Sequence, residues 1–254
     1  MKILLLDIEV SPNVGYFWGA GYKLNIGYES IEEERKIICI CYKWLNEDEC
    51  HSVVWTKGKS DKKLVQDIVK IIAEADFIVG HNIKKFDIKW IRTRCFFHKI
   101  PMPTGFKCID TLTKARSNFY FNSNRLDYVA KFMGSQGKDD KINYSDWIKI
   151  TKSNDSESLA KMVEYCKQDV FELEKVYNEL NLHISTDYHK GVENGHKRYT
   201  CPKCSSRNVW MKGNTVSAAG IKTKRCRCNS CDYQYRIAWS VYMNFLRDRE
   251  DGII

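Results

Sequence analysis

The sequence predicts an α/β fold: a mixed sheet of about five strands flanked by helices, followed by a small β-rich unit built around a metal. Three observations lead there. Apolar runs of strand length come first and then alternate with helical patterns. The basic charge is concentrated late in the chain, where residues 190–254 hold 13 Lys+Arg against 5 Asp+Glu, while residues 1–189 hold 28 against 27. Of the 11 cysteines, Cys201, Cys204, Cys226, Cys228 and Cys231 crowd that same end. Two domains follow, residues 1–189 and residues 190–254.

The elements can be taken in order. Residues 2–10 form an apolar strand with Asp7 and Glu9 near its end. Two residues apart on a strand, these acids share one face, where they repel unless a cation lies between them. Ser11, Pro12 and Asn13 break the run, and the aromatic, glycine-rich stretch of Tyr16, Phe17, Trp18, Gly19, Gly21 and Tyr22 has no period and reads as a loop. Its rings suit stacking on bases as well as packing the loop down. Residues 36–44 and 51–55 read as two further strands around the polar turn 46–49. Ser60 and Asp61 offer a cap to a helix that carries Leu64, Val65, Ile68, Val69, Ile71 and Ile72. A strand over 76–80 leads through His81 and Asn82 into a helix over about 84–97, and residues 106–110 make a fifth strand. Asn124 caps a short helix that stops at Gly134, residues 134–155 are polar and irregular, and a long helix runs over about 156–182.

Several classes are excluded. No stretch approaches the ~20 apolar residues that span a bilayer. The apolar part of the N-terminal run, Ile3 to Leu6, falls short of the roughly 7–15 residues of a secretory core. A cytoplasmic protein with no membrane partner is expected. Cys39, Cys41, Cys50, Cys95, Cys108 and Cys166 are scattered singly and read as small buried side chains.

Chemistry gathers at three further positions. Asp87 opens a helix that follows a strand, preceded by His81 and Asn82. Tyr165 and Asp169 stand four apart on the long helix and so share a face. Each has a plain alternative: Asp7 and Glu9 could begin a solvated loop, Asp87 could serve the helix dipole for ~0.3–1 kcal/mol, and Asp169 could pair with Lys167. Taken in order, however, Asp7-x-Glu9, Asn82-x3-Phe86-Asp87 and Tyr165-x3-Asp169 resemble the three motifs of the DEDD 3′–5′ exonucleases. The tyrosine four residues before the last Asp is the spacing of the tyrosine subgroup, DEDDy. Leu126-Asp127-Tyr128-Val129-Ala130 ahead of Gly134 is similar to the helix that precedes the third motif in that family.

The resemblance covers about residues 1–182 and implies a ribonuclease-H-like fold and metal-dependent hydrolysis of phosphodiesters from the 3′ end. Two divalent ions roughly 3.5–4 Å apart would ready the attacking water and neutralise the leaving oxygen. Mg²⁺ or Mn²⁺ suits carboxylate oxygens. By the same resemblance Asp7 would bridge both ions, Glu9 and Asp169 would complete the water-binding site, and Asp87 would hold the second ion largely through water. Tyr165 would orient the water, since a phenol with a pKa near ~10 is a poor base at neutral pH. His81 and Asn82 are weaker candidates for contact with the terminal nucleotide, His81 being also suited to satisfying a backbone group.

The two knuckles Cys201-x2-Cys204 and Cys228-x2-Cys231 are separated by 23 residues, a spacing for one structural Zn²⁺ held by four sulfurs. A redox disulfide is the alternative for either pair. With strands expected over 208–211, 222–227 and 233–237, the tail resembles a zinc ribbon of nucleic-acid-handling proteins, in which the last knuckle usually carries glycine where this chain has Asp232. Cys226 is spare. Lys222, Lys224, Arg225, Arg227 and Arg236 around the second knuckle suit phosphate contacts. The expected partner is nucleic acid, DNA before RNA, although docking to replication or repair proteins fits the same tail. The reading is a stand-alone exonuclease on single-stranded DNA; an exoribonuclease and a non-enzymatic nucleic-acid-binding adaptor are the alternatives. Small size and abundant lysine are compatible with a phage protein acting in the host cytoplasm.

Overall fold

A computed structural model describes residues 1–19, 21, 26–135 and 142–253. The chain divides into two compact units, Met1–His183 and Ile184–Ile254. Tyr22, at the end of the aromatic stretch, lies outside the described residues.

In the first unit the chain runs β1 (Ile3–Val10), β2 (Val14–Gly15), β3 (Ile31–Glu33), β4 (Ile37–Trp44), β5 (His51–Val54), α1 (Lys62–Ala73), β6 (Phe77–Gly80), α2 (Asp87–His98), β7 (Lys107–Asp110), α3 (Thr111–Asn118), α4 (Leu126–Phe132), α5 (Tyr144–Ser153) and α6 (Ser156–His183). Five strands form one mixed sheet in the order β5-β4-β1-β6-β7. β1 is central, antiparallel to β4 and parallel to β6. Alternation along β1 serves both faces. Leu4, Leu6 and Ile8 enter one core with Leu64, Ile68 and Ile72 of α1 and Ile88 and Ile91 of α2. The opposite face carries Asp7 and Glu9 and receives α6, whose Cys166 Sγ lies 3.5 Å from the Asp7 carbonyl oxygen. An ion pair between the buried Lys43 of β4 and the partly buried Glu174 fastens α6 to the sheet.

Two local expectations are corrected. Residues 134–155 are not irregular throughout, because α5 occupies Tyr144–Ser153 behind a reciprocal capping box between Asn143 and Asp146. Ahead of the aromatic stretch, Val14 and Gly15 pair with β3. The side chains of Asp61 and Asn124 do not cap their helices. Asp61 is instead fully buried and bound to Arg94 at 2.6 Å and His98 at 2.7 Å, a stronger claim on its carboxylate than one amide.

The second unit runs α7 (Lys190–Glu193), β8 (Val209–Val216), β9 (Lys222–Cys228), β10 (Gln234–Ala238) and α8 (Trp239–Glu250). Its antiparallel sheet has the order β10-β9-β8. Tyr199, Cys226, Ile237 and Val241 form its small core, so the spare cysteine is an interior side chain, with Cys226 Sγ 3.3 Å from Met211 Sδ. No described helix is long and apolar enough to cross a membrane.

Candidate active site

The sheet register places the first carboxylates. Asp7 stands opposite Cys41 and Glu9 opposite Cys39 on β4, ahead of an irregularity between Glu9 and Val10. From α6, Asp169 brings a third carboxylate onto the same face. One oxygen from each of Asp7, Glu9 and Asp169 lies within 4.8 Å of the others, all three side chains partly buried. Three hard oxygen donors at that spacing could hold a divalent cation of the Mg²⁺ or Mn²⁺ type, and their mutual repulsion is what such an ion relieves.

Asp87 stands outside that group of three. It begins α2, on the layer that packs against Leu6 and Ile8 rather than the layer of α6. Its carboxyl is only 2% exposed. Burial first, and the charge of Asp7 second, push it well above the usual carboxylate range, against the favourable amides of Asp87 itself and of Ile8. An anion disfavoured by burial and by a neighbouring anion regains its charge beside a cation, so this donor too fits a metal. Tyr165 is one helical turn before Asp169. Burial and then the charges of Glu9 and Asp7 raise its phenol pKa, which keeps it protonated and able to donate a hydrogen bond at neutral pH.

A cleft of about 630 Å³ opens beside these groups and is lined by Asp7, Tyr165 and Asp169 together with His81 and Asn82. Asn82 holds a left-handed backbone (φ 71°). The loop after it is tied down by Asp110, whose carboxylate accepts from the amides of Asn82 at 3.0 Å and Lys84 at 3.4 Å while capping α3 through Leu112 and Thr113. His81 Nε2 is 2.9 Å from the carbonyl of Asn124, which can only accept, so Nε2 carries the proton; Nδ1 is 2.9 Å from the Thr111 hydroxyl. Burial lowers its pKa and keeps it neutral. Sequence reasoning missed Arg116, Arg125 and Lys131, which line the same cleft. No local signal marked them, because their nearness to Asp7 arises only from the packing of α3 and α4. Tyr16, Phe17 and Trp18 are exposed and are not part of the cleft's described lining.

In the second unit, the sulfurs of Cys201, Cys204, Cys228 and Cys231 all lie within 4.8 Å of one another. Two of the separations are 3.7 Å (Cys201–Cys231) and 3.5 Å (Cys204–Cys228). Sulfurs bound tetrahedrally to zinc at ~2.3 Å lie about 3.8 Å apart, so the donor set is compatible with Zn²⁺. Burial opposes a thiolate at Cys228, but the amides of Ser230 and Cys231 outweigh it and bring the thiol down to about 7. Ser205 and Asp232, each following a knuckle, both adopt left-handed backbones (φ 64° and 59°). This conformation is the one that glycine would take without strain at position 232. Of the basic residues near the second knuckle, Lys222 sits over Trp239 at 3.6 Å, Lys224 over Tyr242 at 4.5 Å, and Arg227 pairs with Asp232 at 2.8 Å. Arg225 is exposed.

No curated protein matches this sequence. Among solved structures, the fold is similar to that of a family B DNA polymerase from the hyperthermophilic archaeon Pyrobaculum calidifontis, with a TM-score of 0.53 and 18% identity. The similarity covers 71% of this chain and 24% of the polymerase, so the chain spans about a quarter of that protein's length. A model of the RNase_H superfamily matches residues 28–181, a span that contains Asp87, Tyr165 and Asp169 and begins beyond β1. The chain belongs to the RNase_H superfamily.

Proposed function

We infer that the protein is a metal-dependent 3′–5′ exonuclease of the DEDDy type, with a nuclease domain over residues 1–189 and a zinc ribbon over 190–254 that grips nucleic acid. The observation that carries this reading is the convergence of Asp7, Glu9 and Asp169 within 4.8 Å, with Tyr165 one turn away on the same helix. Membership in the RNase_H superfamily and the likeness to part of a DNA polymerase support it. Single-stranded DNA is the substrate we favour, and the cytoplasm the place of action.

Two Mg²⁺ or Mn²⁺ ions held among Asp7, Glu9, Asp87 and Asp169 would offset charge at the scissile phosphate and ready a water for attack. The chain's own groups do the positioning. Asp7 and Glu9 are fixed by the rigid ladder of β1 and β4. Tyr165 donates a hydrogen bond that holds the attacking water in line, and its raised pKa rules it out as the base. Asp110 holds the loop that presents His81, Asn82 and Asp87. Cys201, Cys204, Cys228 and Cys231 would hold one structural Zn²⁺.

Single- and double-stranded DNA and RNA labelled at the 5′ end, incubated with Mg²⁺, Mn²⁺ or chelator, test the reading. The expected result is a metal-dependent ladder that shortens from the 3′ end, strongest on single-stranded DNA. A ladder on RNA alone would move the assignment to an exoribonuclease. Binding without any cleavage would replace it with an adaptor.

A further inference from the structure

The segment joining α3 to α4, together with the end of α4, carries aromatic side chains that the cleft chemistry leaves unused. Tyr120 is fully exposed (109%) and Phe132 largely so (69%). Phe132 belongs to a cluster of rings, and Tyr120 stands between two of its members in the chain. Phe119 and Phe121 stack with centroids 5.2 Å apart, and Phe121 meets Phe132 edge-on at 5.3 Å. Ring packing holds Phe132 in place while much of its surface stays in water, and the stacked Phe119 and Phe121 flank Tyr120 in the chain, so the rings form an exposed apolar shelf of the kind soluble chains keep for a partner.

Charge identifies the partner. Arg116 precedes these rings, Arg125 follows them, and Lys131 adjoins Phe132; all three are exposed and line the cleft that contains Asp7 and Asp169. Arg125 makes an ion pair with Asp127 at 3.4 Å, but both side chains are open to water, where such a pair holds weakly and yields to a phosphate. Along the chain, rings at 119–121 and 132 are interleaved with cations at 116, 125 and 131, a pattern that suits the bases and phosphates of an unpaired strand. A duplex keeps its base faces stacked and cannot use the shelf.

We propose that the α3–α4 segment is a single-strand binding site in which Tyr120 and Phe132 stack on bases while Arg116, Arg125 and Lys131 take the phosphates leading to the carboxylates. This rests on the nuclease reading for its purpose but not for its existence. The shelf selects unpaired strands by stacking, and it reads no sequence because every base has a face to offer.

Photochemical cross-linking of the full-length chain to a single-stranded oligonucleotide carrying 5-iodouracil, in chelator so that nothing is cut, tests it. Adducts mapped by mass spectrometry are expected within residues 119–132. Their yield is expected to fall at least tenfold in Tyr120→Ala/Phe132→Ala and to return in Tyr120→Phe/Phe132→Tyr. Arg116→Gln/Lys131→Gln is expected to lower it as well. Both rings are exposed, so melting curves of the variants should match the wild type. Adducts confined to residues 184–254, or a yield in the double alanine variant equal to the wild type, would overturn the site and point to a protein partner for the shelf. Adducts at the shelf in a chain that cuts nothing would uphold the site while removing the nuclease reading.

Discussion

Cys166 Sγ lies 3.4 Å from Oδ2 of Asp7, directly behind the carboxylate at the centre of the site. Cys166 is fully buried and sits against Cys39 and Cys41, the residues opposite Glu9 and Asp7 on β4. Small, polarisable side chains there let α6 approach β1 closely enough for Asp169 to join the pair. Cys166→Leu should therefore cost about 1–3 kcal/mol through overpacking and reduce cleavage by more than that loss explains. Cys166→Ser should retain most activity. Denaturant unfolding beside single-turnover cleavage separates the two effects, and an active leucine variant would show that the close approach is dispensable.

Asp110 is the residue through which the loop of Asp87 is held. Its carboxylate takes amides from Asn82 and Lys84 on one side and from Leu112 and Thr113 on the other. Asp110→Ala removes a helix cap, costing about 0.5–2 kcal/mol, and should also lower kcat while leaving KM nearly unchanged. A variant that loses stability but keeps kcat would make Asp110 a cap only.

The buried Asp61 cluster governs acid stability. Burial alone would raise its pKa, but hydrogen bonds from Arg94, His98 and the Ile37 amide outweigh it and hold the carboxyl below the usual carboxylate range. A depressed carboxylate contributes its full stability above the unfolded value and loses it as pH falls through the folded one. Asp61→Ala, which strands Arg94 in the interior, should cost roughly 3–5 kcal/mol near neutral pH. That deficit should shrink as pH falls below the unfolded carboxylate value of ~3.9, where the unfolded chain takes up a proton before the folded carboxylate does, and should vanish as the folded carboxylate in turn protonates. Urea midpoints measured across pH for both proteins check the sign.

Much of this organisation was legible in the residues. The alternation of β1 placed Asp7 and Glu9 on one face, and the spacing of Tyr165 and Asp169 placed them on one helical stripe. Both are local periodicities that tertiary packing rarely overrides. α3 is hidden because Thr111 and Thr113 are β-branched and its cap, Asp110, is also the last residue of a strand. α5 carried its own signal, Asn143 followed three residues later by Asp146, in a segment whose polarity masked it. Arg116, Arg125 and Lys131 could not be assigned to the cleft, because their closeness to Asp7 is a property of packing rather than of order along the chain.

Cys226 separates ligand from core in the second unit. It is 1% exposed and packs with Tyr199 and Ile237. Cys226→Ala should keep one equivalent of zinc, released on thiol modification, and lose about 1–2 kcal/mol as a small cavity. Cys204→Ser should lose the metal and unfold residues 184–254, because binding to a small site of this kind is coupled to folding. Zinc content that falls in both variants alike would reassign Cys226 as a ligand.

On the proposed function, Asp7, Glu9 and Asp169 form one hydrolytic site on the face of β1 that receives α6. The most direct measurement is single-turnover cleavage of a 5′-labelled single-stranded DNA in Mg²⁺ by Asp169→Ala, with melting curve and zinc content matched to the wild type. Loss of the ladder by at least about a thousandfold, a barrier increase of roughly 4 kcal/mol, is the predicted result. A ladder that persists at the wild-type rate would remove Asp169 from the hydrolytic site.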